Sequence, residues 1–218
     1  IFRMRRELSF QSFENHAEPQ MVTLRTGDDA LSSAVVHPQV GVSKALDLSR
    51  EDTRTLAMYD TSQYDGGTRW NKVKRGKAGL YNAQANTIGK LLLQARRLCE
   101  AGCGYVTIHA SYAGVWDMHA DGNNLNMTDG MEAVGLSFDH AVAAFIRDCE
   151  ARGLSDKILL VCCGEMGRTP KVNAKAGRDH WGGSAPLMLY GGGLKMGQVI
   201  GSSTKDGGEP ASDRVTIP

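Results

Sequence analysis

"KILLVCCGEMGRTP", residues 157–170, sets six consecutive apolar residues directly before a glycine, a glutamate and an arginine. A continuous apolar run of strand length is the pattern of a strand covered on both faces. The charge at Glu165 and Arg168 then falls at that strand's carboxyl end. In open α/β sheets, ligands bind in the crevice beyond the carboxyl ends of the strands. One stretch therefore predicts both a fold class, α/β, and the place to look for a site.

The flanking sequence agrees. Upstream, Phe138, Val142, Phe145, Ile146 and Cys149 recur at helical spacing, and Gly153 in "ARGLSD" is suited to end that helix. Further upstream, Ala85, Ile88, Leu92, Ala95 and Cys99 form a second helical stripe, with Lys90, Gln94, Arg97 and Glu100 off it. Gly102 suits the left-handed stop of that helix. "CGYVTIH" (103–109) then reads as a β-branched, aromatic strand, and "APLMLYGGG" (185–193) as a third strand ending in a glycine turn. If the strands at 103–109 and 157–163 share one parallel sheet, their crossover is right-handed. Residues 1–80 are polar and weakly periodic, with turn-rich patches such as "RTGDD" and "YDGGTR". The expectation is one domain over 1–218, irregular or peripheral over 1–80, with a core and its site loops over 81–218. No repeat, low-complexity tract or linker interrupts it.

Composition narrows the partners. The 218 residues are 41% hydrophobic, enough for one substantial core. Lys and Arg number 25 against 24 Asp and Glu, so net charge gives no reason to expect nucleic acid or an anionic membrane. No apolar run approaches the roughly 18 to 20 residues that cross a bilayer. Cys99, Cys103, Cys149, Cys162 and Cys163 lie inside apolar patterns, without any CxxC, and read as buried free thiols. The chain starts at Ile1 with no basic-then-apolar leader, and we expect upstream sequence to be missing.

Several side chains could carry chemistry. Asp117 and His119 in "GVWDMH" (114–119) are two apart, so extended backbone points both to one side, which suits two ligands of one ion. A capping Asp beside a surface His is the bland alternative. Asp179 and His180 in "GRDHW" are adjacent and diverge on extended backbone. They could serve two ions, one could orient a neighbour while the other ligates, or Asp179 could be an N-cap with His180 packed on Trp181. Glu165 needs a compensating cation, either a metal or Arg168. Arg168 and Arg178 could grip a tetrahedral anion, whose oxygens match a guanidinium fork, or could be plain solvated charge. Two His, two Asp and one Glu at one sheet edge form an oxygen and nitrogen donor set that favours zinc, manganese or iron over calcium. His109 is more often a core histidine than a ligand, Asp139 more often a helix hydrogen-bonder, and Asn123–Asn124 a turn. His16, His37 and His140 have no supporting context.

The same residues carry a family resemblance. "LLLQARRLCEAGCGYVTIH", "GVWDMHADGNNLN" and the run from "FDHAVAAFIRDCEARGLSDKILLVCCGEMGRTP" through "AGRDHW" to "YGGGLKMGQVIG" resemble the DUF1501 family of the alkaline phosphatase-like superfamily. That family reads GWDTH, GEFGRTP, AGRDHW and AGGG with GQV(I/V)G. The likeness runs from about Ala45 to the C-terminus and is most specific over 158–210, whereas residues 1–44 match poorly. It implies an α/β/α sandwich with a mostly parallel sheet, incomplete here at the N-terminus. It also implies the metal centre of phosphatases and sulfatases, with one or two ions, a Ser, Thr or modified Cys nucleophile, and a metal-stabilised leaving oxygen. By that analogy Asp117, His119 and His180 look like one ion's ligands, and Glu165 stands where the superfamily often has an Asp. Met166 replaces the family's usual Phe. The family's GGPSQ-like segment, with a further Asp ligand and any nucleophile, has no counterpart, so the chain resembles the C-terminal portion of a longer protein. Twin-arginine export signals in the family imply an exported parent.

The expected function is metal-dependent hydrolysis of a small phosphate or sulfate ester, with Asp117, His119, Glu165, Asp179 and His180 on zinc or manganese, or alternatively iron. Arg168 and Arg178 would bind the anion. The alternatives are an exported, non-catalytic metal-binding protein of the same fold, and a metal-free hydrolase using paired carboxylates.

Overall fold

The computed structural model describes residues 21–25, 44–74, 76–110 and 114–215. His16, His37 and most of "RTGDD" lie outside them. In chain order the elements are β1 (Met21–Arg25), α1 (Thr53–Met58), α2 (Lys77–Glu100) and β2 (Tyr105–His109). A helix then starts as α3 (Met127–Gly130), passes through a π turn over Met131–Gly135 and continues as α4 (Leu136–Ala151). The strands β3 (Leu159–Cys163), β4 (Gly167–Arg168), β5 (His180–Trp181), β6 (Leu187–Gly191), β7 (Ser202–Ser203) and β8 (Pro210–Ser212) complete the described chain.

Both long helices end as the glycines predict. Gly102 takes φ 94° and Gly153 φ 65°, and the hydrogen bonds Cys103 N to Leu98 O and Leu154 N to Cys149 O close the last turns, at 3.0 and 2.8 Å. This is the Schellman stop, in which a left-handed residue lets two otherwise unpaired carbonyls be satisfied. Each helix thereby turns directly into the segment that leads to its strand.

Helices α2 and α4 pack on each other through Ile88, Leu92 and Leu93 on one side and Ala141, Val142, Phe145 and Cys149 on the other. Ile158 and Tyr190 close this core from the sheet, and Tyr59 enters it from the segment after α1. Burying one such aliphatic or aromatic side chain is worth about 1.5–3 kcal/mol. Gly89 is where α2 meets that segment: a Cβ there would lie 1.9 Å from the Tyr59 carbonyl oxygen. Trp70, also from the stretch read as irregular, anchors a second cluster with Tyr81, Val115, Met118, Leu125 and Val134.

A charge network pins this assembly at the other end of α2. Arg96, 2% exposed, hydrogen-bonds Glu51 at 2.6 Å and forms ion pairs with Asp148, at 2.8 Å, and with Glu100. Tyr59 Oη donates to Asp148 Oδ2 at 3.1 Å. Burial alone would raise the Glu51 carboxyl, but hydrogen bonds from Arg97 and Arg96 and the charges of Arg96 and Arg152 outweigh it and hold the group below its ordinary value.

The architecture is mixed α/β, with a sheet pattern that departs from the mostly parallel expectation. Among the described residues only β1 and β2 pair in parallel, with Met21 opposite Tyr105 and Arg25 opposite His109. The ladders β3–β6, β4–β5 and β7–β8 are antiparallel. The strands β2 and β3, for which a shared parallel sheet was one possibility, each bond a different partner. The chain between Cys163 and Leu187 folds back on itself, so β6 returns beside β3 with Gly191 opposite Leu159. Gly191, Gly192 and Gly193 then turn away with φ 81°, 60° and 73°, the glycine turn that "YGGG" predicts.

β3 is also not covered on both faces among the described residues. Leu160 and Cys162 pack against the α2–α4 core, whereas Leu159 and Val161, with Leu187 and Leu189 of β6, are about half exposed. Direct cross-strand partners share a face, so these four make one open apolar surface. Cys163 lies on it and is exposed, unlike the buried Cys103 and Cys149, a correction to reading all five thiols as buried. None of the described helices is long and apolar enough to cross a membrane.

Candidate metal centre

The loop after β2 is built from the inside out. Val115 and Met118 are buried in the second cluster, and Met118 presses so closely on Gly130 of α3 that a Cβ there would sit 2.6 Å from its Cγ. With those two side chains held down, Asp117 and His119 point the other way, as the DxH spacing predicts. Below them the phenol of Tyr81 is raised by its burial, and the charge of Asp117 adds to the shift. The Asn123–Asn124 turn forms on Asp121, whose Oδ1 accepts both backbone N–H groups at 2.9 Å.

A second segment is stitched onto this loop. Arg178 N donates to Met118 O at 2.8 Å, and Met127 N to Ala176 O at 3.0 Å. Gly177 lies so close that a Cβ would come 2.4 Å from the His119 carbonyl carbon and oxygen. Only glycine fits there, which is the physical content of "AGRDHW". Gly167 of "GEMGRTP" is equally confined, since a Cβ would sit 1.6 Å from Ser184 O. Gly167 also pairs with Trp181 in the β4–β5 ladder, in which Arg168 stands directly opposite His180.

Cross-strand partners point to the same side, so Arg168 and His180 reach one atom. Asp117 Oδ1 accepts Arg168 Nη2 at 2.6 Å and lies 3.1 Å from His180 Nε2. His119 Nε2 is 3.1 Å from His180 Nε2 and 3.7 Å from Asp117 Oδ1. These three atoms form the one group of at least three His, Cys, Asp or Glu ligand atoms among the described residues that could hold a metal ion. Donors at 2.0–2.1 Å around a tetrahedral zinc are about 3.3 Å apart, and the observed edges of 3.1, 3.1 and 3.7 Å bracket that value. A single proton on His180 Nε2 could serve two of the three atoms, whereas a divalent cation at the centre would serve all three.

The other expected ligands stand outside the triangle. Asp179 Oδ1 is 3.4 Å from His119 Nδ1, on the far side of the ring, which suits an orienting carboxylate. Glu165 is exposed and pairs with Arg168 at 3.3 Å. Arg178, expected on an anion, spends its Nη1 on the Thr169 and Pro170 carbonyls at 2.6 and 2.7 Å and turns its Nε to the Met127 sulfur at 3.0 Å. It is a clasp between "RTP" and "AGR". Of the remaining histidines, His140 bonds Met58 O at 2.9 Å and Tyr64 Oη at 3.1 Å, a purely interhelical role.

Sequence reasoning missed Asn173, which accepts from Lys175 N and Gly177 N and donates to His119 O and Asp179 Oδ1. The signal was an Asn four residues before a glycine, the pattern of a side chain closing its own loop.

A family model described as a protein of unknown function, DUF1501, matches residues 4–218. The chain belongs to the DUF1501 family. The match reaches well ahead of Ala45, so residues 4–44, which look dissimilar by eye, are part of the same DUF1501 region. Neither a curated protein nor a solved structure matches the chain. In DUF1501 terms, "GVWDMH" and "AGRDHW" are the two segments that meet at the triangle, and "GEMGRTP" brings the arginine to it.

Proposed function

We propose that this DUF1501 chain carries the metal and anion site of a hydrolase acting on small phosphate or sulfate esters. The observation that carries the proposal is the convergence of Asp117 Oδ1, His119 Nε2 and His180 Nε2 beside the Arg168 guanidinium. Asp117, His119 and His180 would hold zinc or manganese, with iron as the other transition-metal candidate. A divalent ion there would supply Lewis-acid charge to the ester oxygens. Arg168 pairs with two carboxylates, Asp117 and Glu165, and a third, Asp179, lies against the far side of the His119 ring, so three carboxylates stand around the site with one guanidinium. With neutral imidazoles this leaves formal negative charge for a divalent cation to offset. Arg168 then sits next to that cation, a juxtaposition of like charges that an anionic substrate relieves. Its planar fork would take the non-bridging oxygens of a phosphoryl or sulfuryl group as negative charge develops.

The alkaline phosphatase-like α/β/α sandwich and export of the parent protein belong to the same proposal. What supports the sandwich is a helical layer on one face of β3–β6 and an open apolar surface on the other, where a second layer would pack. A non-catalytic metal-binding role is favoured by one observation: Arg168 is already bonded to two carboxylates. Hydrolysis of p-nitrophenyl phosphate and p-nitrophenyl sulfate, with and without added zinc or manganese, tests the first role against the second. Turnover that is lost in Asp117→Ala with the fold intact is expected, and metal binding without turnover selects the second role.

A further inference from the structure

The segment 173–179 holds His119 from two directions through one side chain. Asn173 Oδ1 accepts Lys175 N at 3.0 Å and Gly177 N at 2.9 Å, closing the loop on itself. Asn173 Nδ2 donates to the His119 carbonyl at 3.1 Å and to Asp179 Oδ1 at 3.3 Å. That same Asp179 oxygen faces His119 Nδ1. Both oxygen lone-pair acceptances and both amide donations of Asn173 are therefore in use, and its two outward bonds end on the backbone and on the ring partner of one histidine. Asp179 is more than half exposed, so without a tether its carboxylate would swing freely in water.

We infer that Asn173 and Asp179 form a clamp that fixes His119 as the Nδ1–H tautomer and so leaves Nε2 bare toward Asp117 and His180. Asp179 is the acceptor that holds the proton on Nδ1, and Asn173 is a positioning residue that fixes Asp179 relative to the His119 main chain. Which ring nitrogen of a histidine is free to ligate is set by the hydrogen bond at the other nitrogen. The clamp assigns Asp179 a role beside the metal rather than on it. As a statement about metal affinity it rests on the metal-site reading, but the tautomer itself does not.

The test reads the two separately. In the metal-free protein, long-range proton–nitrogen NMR correlations of the His119 ring report the tautomer, and zinc competition with a chromophoric chelator reports affinity. Wild type is expected to show Nδ1–H. Asp179→Ala is expected to move the proton to Nε2 and to weaken zinc binding by about 10- to 100-fold. Asp179→Asn, which keeps an acceptor oxygen, restores the wild-type tautomer, and Asn173→Ala gives an intermediate mixture of tautomers with an unchanged backbone amide spectrum elsewhere. An unchanged His119 tautomer in Asp179→Ala would overturn the clamp. If wild type takes up no zinc but shows the expected tautomer shift, the clamp stands and the metal-site reading falls.

Discussion

His180 Nε2 lies 3.1 Å from both His119 Nε2 and Asp117 Oδ1, although His180 and His119 come from segments 61 residues apart. One N–H can bridge the two imidazole nitrogens, or a cation can take both lone pairs and the Asp117 oxygen together. The β4–β5 ladder delivers His180 to this point together with Arg168, and the buried Val115 and Met118 deliver His119 and Asp117.

Close backbone approach is what holds the two segments in register, so Gly177→Ala should damage the site directly. A methyl group there meets the main chain of His119 at 2.4 Å, not a flexible side-chain end. Overpacking of this kind costs about 1–3 kcal/mol. Thermal melts should show that loss, and zinc affinity should fall with it. An alanine variant with wild-type melting and affinity would show that the contact yields.

Arg178 and Arg168 should separate cleanly. Arg178→Ala removes two hydrogen bonds to the Thr169 and Pro170 carbonyls, each worth about 0.5–1.5 kcal/mol net and more when a buried partner is left unpaired. It should lower stability. Arg168→Ala should instead leave melting nearly unchanged while weakening inhibition by inorganic phosphate or sulfate. Equal effects of both variants on anion inhibition would mean that the Arg178 clasp opens in solution.

The network around Arg96 sets the acid limit of the fold. Glu51 has a folded-state value below its ordinary 4.5. Its stabilisation is therefore fully present above about that pH and is lost as pH falls through the lower folded value. Glu51→Gln leaves Arg96 buried with one partner fewer, and breaking such a buried pair costs about 3–5 kcal/mol. Denaturant titrations should show this loss at neutral pH and a shallower decline of stability below pH 4.5 than in wild type. Some acid sensitivity should persist, because hydrogen bonds from the Thr55 side chain and backbone also lower Asp52 at the α1 cap.

The thiols should fall into two classes. Burial pushes Cys149 up to about 12 and Cys99 and Cys162 up to about 11, keeping them protonated near neutral pH. Cys163 is exposed on the open face of β3. A thiol-reactive chromophore should titrate one cysteine quickly in the native protein and the others only on unfolding. Fast labelling of Cys149 would contradict the packing of α4 against α2.

The two helices, their glycine stops, β2, β3 and β6 were legible because each depends on local pattern. Helical spacing, a left-handed glycine and a short apolar run specify an element without reference to the rest of the chain. Strand partnership was not legible: nothing in "KILLVCC" says whether "LMLYG" returns parallel or antiparallel, or which face stays open. In the site, the DxH spacing correctly placed Asp117 with His119, since side-chain alternation is local. The separation of His180 from Asp179, and of Arg168 from Arg178, was beyond reach. It depends on the β4–β5 register and on where the 173–178 loop docks, and Asn173 does that docking through bonds to atoms as far away as His119.

The central claim is that Asp117, His119 and His180 hold one divalent cation, and elemental analysis of the purified chain tests it most directly. Wild type is expected to retain near-stoichiometric zinc, manganese or iron, with the metal lost in both His119→Ala and His180→Ala and with melting temperature falling on chelation, by the linkage between ligand binding and stability. Metal content that is negligible in wild type after incubation with each of those ions, or that survives in both histidine variants, would contradict the account.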